Sequence, residues 1–129
     1  MEPEDQRTIL VVDDDPEVLA LVSGLLTGSY NVLTACSGVS ALQLSRDFQG
    51  EIRLLLSDFQ MPGMSGIELA TAMTADRPGL KVLLMSGYTE GILVLNEGWH
   101  FLPKTFVTSQ LRALVTGLVF PDEVSRFSK

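Results

Sequence analysis

The chain has 129 residues, 46% of them hydrophobic, and a formal net charge of −7 at pH 7. That length suits one domain able to bury a core without staples, and that hydrophobic fraction excludes a disordered chain. An acidic surface disfavours direct nucleic-acid binding, no apolar run reaches the roughly 18 residues that span a bilayer, and the acidic start Met1-Glu2-Pro3-Glu4-Asp5 is unlike a secretory signal. A single cysteine, Cys36, rules out an intrachain disulfide and reads as a small packed residue, in keeping with a cytoplasmic location.

Residues 1–7 and 122–129 read as loose tails around a domain at 8–121. Ile9-Leu10-Val11-Val12 is a short β-branched apolar run, as expected of a strand covered on both faces. Asp15 then caps a helix with Pro16 at its first position, and Val18, Leu21, Val22 and Leu25 follow at helical spacing until Gly28. Residues 30–35 alternate like a strand and 39–48 return to helical spacing. Leu54-Leu55-Leu56 is a second buried strand, ending at Ser57-Asp58, and Pro62-Gly63 marks a turn. A helix is expected over 67–75, a strand at Val82-Leu83-Leu84-Met85 ending at Ser86-Gly87, and a short last strand at Phe101-Leu102. Trp99 and His100 read as loop residues, and Thr108 or Ser109 caps a final helix carrying Leu111, Leu114, Val115 and Leu118. Five strand–helix units in alternation imply an α/β fold, a parallel sheet wound on both sides.

In such sheets ligands sit beyond the carboxyl ends of the strands, where the strand order reverses. Those ends carry the polar residues here: Asp13-Asp14 after the first strand, Asp58 after the third, Ser86 after the fourth and Lys104 just past the fifth. Each alone has an ordinary reading as turn, cap or surface residue. Together they form a set. Carboxylates that converge repel one another unless a cation joins them, and an all-oxygen donor set suits a hard ion such as Mg²⁺. A carboxylate nucleophile, a metal, a lysine and a hydroxyl are the parts that phosphoryl transfer asks for.

Four segments carry a resemblance to the response-regulator receiver family of two-component phosphorelays: Val11-Val12-Asp13-Asp14-Asp15-Pro16, residues 57–66 from Ser57-Asp58 to Ser65-Gly66, Leu84-Met85-Ser86-Gly87-Tyr88-Thr89, and Phe101-Leu102-Pro103-Lys104. The chain resembles the receivers of hybrid sensor histidine kinases most. The resemblance implies a flavodoxin-like, doubly wound five-stranded parallel sheet of order 2-1-3-4-5. It implies Asp58 as phosphoacceptor, Asp13 and Asp14 as the acidic pair holding Mg²⁺ with Asp14 the more direct ligand, and the backbone carbonyl of Gln60 as a further ligand. Ser86 becomes the switch hydroxyl, Lys104 the partner of a phosphoryl oxygen, and Phe101 the aromatic that turns inward when Ser86 moves. The donor would be a phosphohistidine on a histidine kinase or a histidine phosphotransfer domain. The domain would phosphorylate and dephosphorylate itself rather than act as an enzyme, within a parent chain that could be a hybrid kinase.

Two features depart from the family. Ser86 and Lys104 are 18 positions apart, shorter than usual by roughly four residues, about one helical turn, so the fourth helix is expected to be short. Thr105 follows Lys104 where the family has a proline joined by a cis bond, which before a non-proline residue costs about 2.5–4 kcal/mol. Two other functions are weighed: a phosphorylation-independent binding module, and a phosphohydrolase using Asp13, whose Asp13-Asp14-Asp15 has an Asp-x-Asp spacing after a strand.

Overall fold

A computed structural model describes residues 7–86, 99–103 and 108–119 of the chain. Their elements, in order, are β1 (Thr8–Val12), α1 (Pro16–Leu26), β2 (Asn31–Ala35), α2 (Gly38–Asp47), β3 (Leu54–Asp58), α3 (Gly66–Asp76), β4 (Lys81–Ser86), β5 (Trp99–Pro103) and α4 (Thr108–Val119). The five strands form one sheet of order β2-β1-β3-β4-β5, and every neighbouring pair is parallel. The expected order and winding are therefore observed. The expected short helix between β4 and β5, and the Lys104–Thr105 peptide, lie outside the described residues.

The apolar runs make sense once the sheet is covered on both faces. Side chains alternate along a strand, and here both sets are buried. Leu10, Val12, Leu55, Val82 and Leu84 join one core, to which α2 contributes Ala41 and α3 contributes Leu69, Ala70 and Met73. Ile9, Val11, Leu54, Leu56, Leu83 and Met85 join the other, against Val22 and Leu26 of α1 and Leu111 and Val115 of α4. Each fully buried aliphatic side chain contributes roughly 1.5–3 kcal/mol, so this double core holds the strand ends in place.

The helix starts follow their local chemistry. Asp15 accepts a hydrogen bond from the Glu17 N–H at 2.9 Å, with Pro16 at the first helical position. Ser37 caps α2 through the Ser40 N–H. Ser65 and Glu68 close a reciprocal capping box on α3. Pro62-Gly63 is the expected turn, and Gly63 takes a φ of +79°, open to glycine and strained for most other residues.

Four expectations need correction. Trp99 and His100 belong to β5, not to a loop: Trp99 is buried in the core that α2 and α3 help to build, while His100 is exposed. The aromatic ring finds its apolar surface by starting the strand two residues early. Thr108 and Ser109 stand inside α4 rather than ahead of it. Cys36 is exposed, because β2 ends at Ala35 and the chain turns outward toward its cap at Ser37. Leu21, placed on the apolar spacing of α1, is 56% exposed, because Val22 and Leu26 fill the contact with the sheet.

At the end of the sheet away from the acidic strand tips, Arg77 fastens α3 to α2. Its Nε donates to Ser45 Oγ at 3.0 Å, one terminal nitrogen to the carbonyls of Ser45 and Phe48 at 2.8 and 3.0 Å, and the other to the Gly50 carbonyl at 2.9 Å. These include carbonyls at the end of α2 that the helix itself leaves open. Hydrogen bonds to a charged group are worth about 1.5–3 kcal/mol. Arg77→Met should therefore lower the stability of the chain by about 2–3 kcal/mol, read from the urea unfolding midpoint. Arg77→Lys should restore only part of that, because an ammonium cannot span the fork.

Candidate functional site

The strand order reverses at β1, with β2 on one side and β3 on the other, and the crevice of a doubly wound sheet opens at that point. Val12 of β1 stands opposite Ser57 of β3. The next residues along, Asp13 and Asp58, are thereby carried to the same edge of the sheet. Asp13, Asp14 and Asp58 offer carboxylate oxygens that all lie within 4.8 Å of one another, with Asp13 and Asp58 buried and Asp14 exposed. The register of two parallel strands thus performs the convergence.

Local bonds set the orientations. Asp13 is fully buried, and its Oδ1 accepts from the Asp15 N–H at 2.9 Å, which turns the side chain back over the start of α1. Its own N–H donates to the Ala35 carbonyl at 3.3 Å, one step past the paired residues of β1 and β2. Asp58 is 6% exposed. The Phe59 N–H donates to the Met85 carbonyl at 2.7 Å, and the Gly66 N–H to the Phe59 carbonyl at 2.9 Å. A side chain on Gly66 would run into the Asp58 carbonyl oxygen, so α3 begins directly on the backbone of the buried aspartate.

Two negative charges 4.8 Å apart repel by about 3 kcal/mol at an effective dielectric near 20. A multivalent cation among these oxygens would replace that repulsion with attraction. The donor set fits such an ion: it is all oxygen, hence hard, and the exposure of Asp14 leaves room for bound water.

Of the other expected site residues, Gln60 is exposed just past β3, and Ser86 ends β4, pairing with Pro103 of β5. Lys104 lies outside the described residues. Phe101 is half-buried on β5, and its ring meets that of Phe59 edge to face, with centroids 5.9 Å apart and planes at 60°. Sequence reasoning overlooked Phe59. Only its place directly after Asp58 marked it, and one aromatic after a strand is a weak signal. The close packing of Gly66 on the Asp58 carbonyl was also missed. Among the described residues, no helix is long and apolar enough to cross a membrane.

A sequence model of the response regulator receiver domain matches residues 9–116, and the chain belongs to that family. It is 34% identical over 113 residues to the sensor kinase CckA of Brucella abortus, a match covering 84% of this chain and 12% of that kinase. It is 36% identical over 126 residues to the probable transcriptional regulatory protein TcrX of Mycobacterium tuberculosis, covering 89% of this chain and 53% of TcrX. The chain therefore spans only part of the length of these relatives. The solved receiver domain from the hybrid histidine kinase CckA matches with a TM-score of 0.76 and 32% identity, over 87% of this chain and 98% of that one. A CheY-like receiver domain protein from Methanospirillum hungatei matches with a TM-score of 0.81 and 26% identity, over 93% of this chain and 98% of that one.

Two expected outcomes test this geometry. Gly66→Ala forces a methyl group against backbone rather than a yielding side chain, and should destabilise the fold by about 2–3 kcal/mol by urea unfolding. Phe59→Leu and Phe101→Leu, made singly and together, should show a coupling of about 0.5–1.5 kcal/mol. Strict additivity would mean that the ring contact carries no energy of its own.

Proposed function

We propose that the domain over residues 8–121 accepts a phosphoryl group on Asp58 from a phosphohistidine, carried by a histidine kinase or a histidine phosphotransfer domain. The observation that supports this most is the meeting of three carboxylates within 4.8 Å at the switch point of the sheet. Asp13, Asp14, Asp58 and the backbone carbonyl of Gln60 would hold Mg²⁺. When bound, the ion supplies charge neutralisation for the phosphoryl oxygens.

In this reading a carboxylate oxygen of Asp58 bonds to phosphorus as the phosphorus–nitrogen bond to the donor histidine breaks. The departing imidazole keeps the electron pair and takes a proton from water. The buried position of Asp58 limits water around the acyl phosphate. Asp13 is a poorer nucleophile, because it is fully buried and one of its oxygens already accepts from the Asp15 N–H. Lys104 would meet a phosphoryl oxygen and Ser86 would close on another, both assigned by family likeness. The phosphoryl group adds about two negative charges at one point. The conformation that draws Ser86 and Lys104 inward is then favoured, with Phe101 following. The group is later lost to water, so the domain acts as a relay and not as an enzyme on a separate substrate.

Incubation with acetyl phosphate and Mg²⁺ should add one phosphoryl group by intact mass, lost in Asp58→Asn and suppressed by chelation. No gain in the parent chain would overturn the reading and leave a phosphorylation-independent binding module. Label on Asp13 would instead support a phosphohydrolase. Mg²⁺ at about ten times its dissociation constant should stabilise the fold by about 1.4 kcal/mol, raising the melting temperature by about 3–6 °C. Asp14→Asn should remove most of that rise.

A further inference from the structure

We infer that Ser57 is a positioning residue for the phosphoacceptor, acting through the backbone of Asp58. The inference rests on the reading of Asp58 as the acceptor. Strand β3 reads Leu54-Leu55-Leu56-Ser57-Asp58, and all five residues are buried. A hydroxyl in that apolar run, at 0% exposure, needs a partner. It has one close by: Ser57 Oγ donates to the carbonyl oxygen of Asp58 at 2.9 Å.

That carbonyl belongs to the peptide unit joining Asp58 to Phe59. The other end of the same unit, the Phe59 N–H, donates to the Met85 carbonyl at 2.7 Å. The α carbon of Gly66 closes in on the Asp58 carbonyl oxygen, where no side chain would fit. One peptide plane is thus fixed at both of its polar ends and packed against the first residue of α3. The next carbonyl, that of Phe59, accepts from the Gly66 N–H at 2.9 Å. A plane that cannot rotate fixes the direction of the Asp58 Cα–Cβ bond, and with it the carboxylate among Asp13 and Asp14. It also fixes the path of the chain into Gln60. Of these supports, the bond from Ser57 is a side-chain contact that can be removed while the backbone ladder stays intact. Removing it releases the carbonyl end of the plane, which can then tilt about its remaining tether at the Phe59 N–H and carry the carboxylate off in-line geometry.

Small misplacements of a reacting group slow a reaction by large factors. In the full chain with saturating Mg²⁺, Ser57→Ala should slow phosphorylation by acetyl phosphate about tenfold. The acetyl phosphate concentration giving half the maximal rate should stay within about twofold, because Ser57 touches no donor atom in this reading. Ser57→Thr, which keeps the hydroxyl, should recover most of the rate. If crowding prevents Ser57→Thr from folding, Ser57→Cys, nearly isosteric with a weaker donor, should fall between serine and alanine. Circular dichroism melting of each variant separates loss of fold from loss of rate. A Ser57→Ala chain that melts lower yet is phosphorylated at the parent rate would reduce Ser57 to a structural residue and sink the inference. A parent chain that takes no phosphoryl group would instead overturn the reading of Asp58 itself.

Discussion

The structure is organised around keeping like charges together. Asp13, Asp14 and Asp58 would separate if the chain allowed it, and they stay within 4.8 Å because parallel pairing of β1 and β3 fixes where each strand ends. A side-chain cluster on loops would relax apart. These groups stand on the tips of two central strands, with a hydrophobic core on either face. The geometry is held by apolar burial far from the charges, and the mutual repulsion of the three carboxylates acts against it.

Local bonds tie the site to this rigid frame. Asp13 accepts a hydrogen bond from the N–H of Asp15, and Asp15 in turn caps α1, so this acidic loop and the helix start are one unit. Asp58 is held through its own peptide plane by Ser57, Met85 and Gly66. On the far side of that plane, Phe59 touches Phe101 of β5. Movement at Asp58 therefore has a direct steric route to the outer strand.

Most of the architecture was legible in the sequence because its signals were physical and strong. Runs such as Ile9 to Val12 have one stable use, a strand buried on both faces, and Asp15-Pro16 and Pro62-Gly63 restrict the backbone directly. The acidic convergence followed from placing Asp13, Asp14 and Asp58 at strand ends, before any distance was known. Tertiary context decided the rest. Trp99 extends β5 because a large ring found a place in the core that α2 and α3 help to build, and no local pattern announces that. Leu21 and Cys36 stand exposed although their residue types favour burial. The hydroxyl of Ser57 looked incidental in sequence, since its partner is a backbone oxygen that only the fold brings into view.

The two ends of the sheet divide opposing tasks. At one end, charge is concentrated and a glycine gives up its side chain so that α3 can start on the Asp58 carbonyl. Both features are unfavourable to stability taken alone, as functional sites often are. At the other end, Arg77 gathers Ser45, Phe48 and Gly50 into one set of charged hydrogen bonds. Arg46 and Asp76 add an ion pair at 3.0 Å between the same two helices, although both are well exposed and the pair is worth little by itself. Helix α3 is the part common to both ends: its first residue presses on the backbone of Asp58 and the residue that ends it secures α2. Its position is therefore set from the end remote from the three carboxylates, so the strain of gathering like charges at the acidic end need not loosen the sheet.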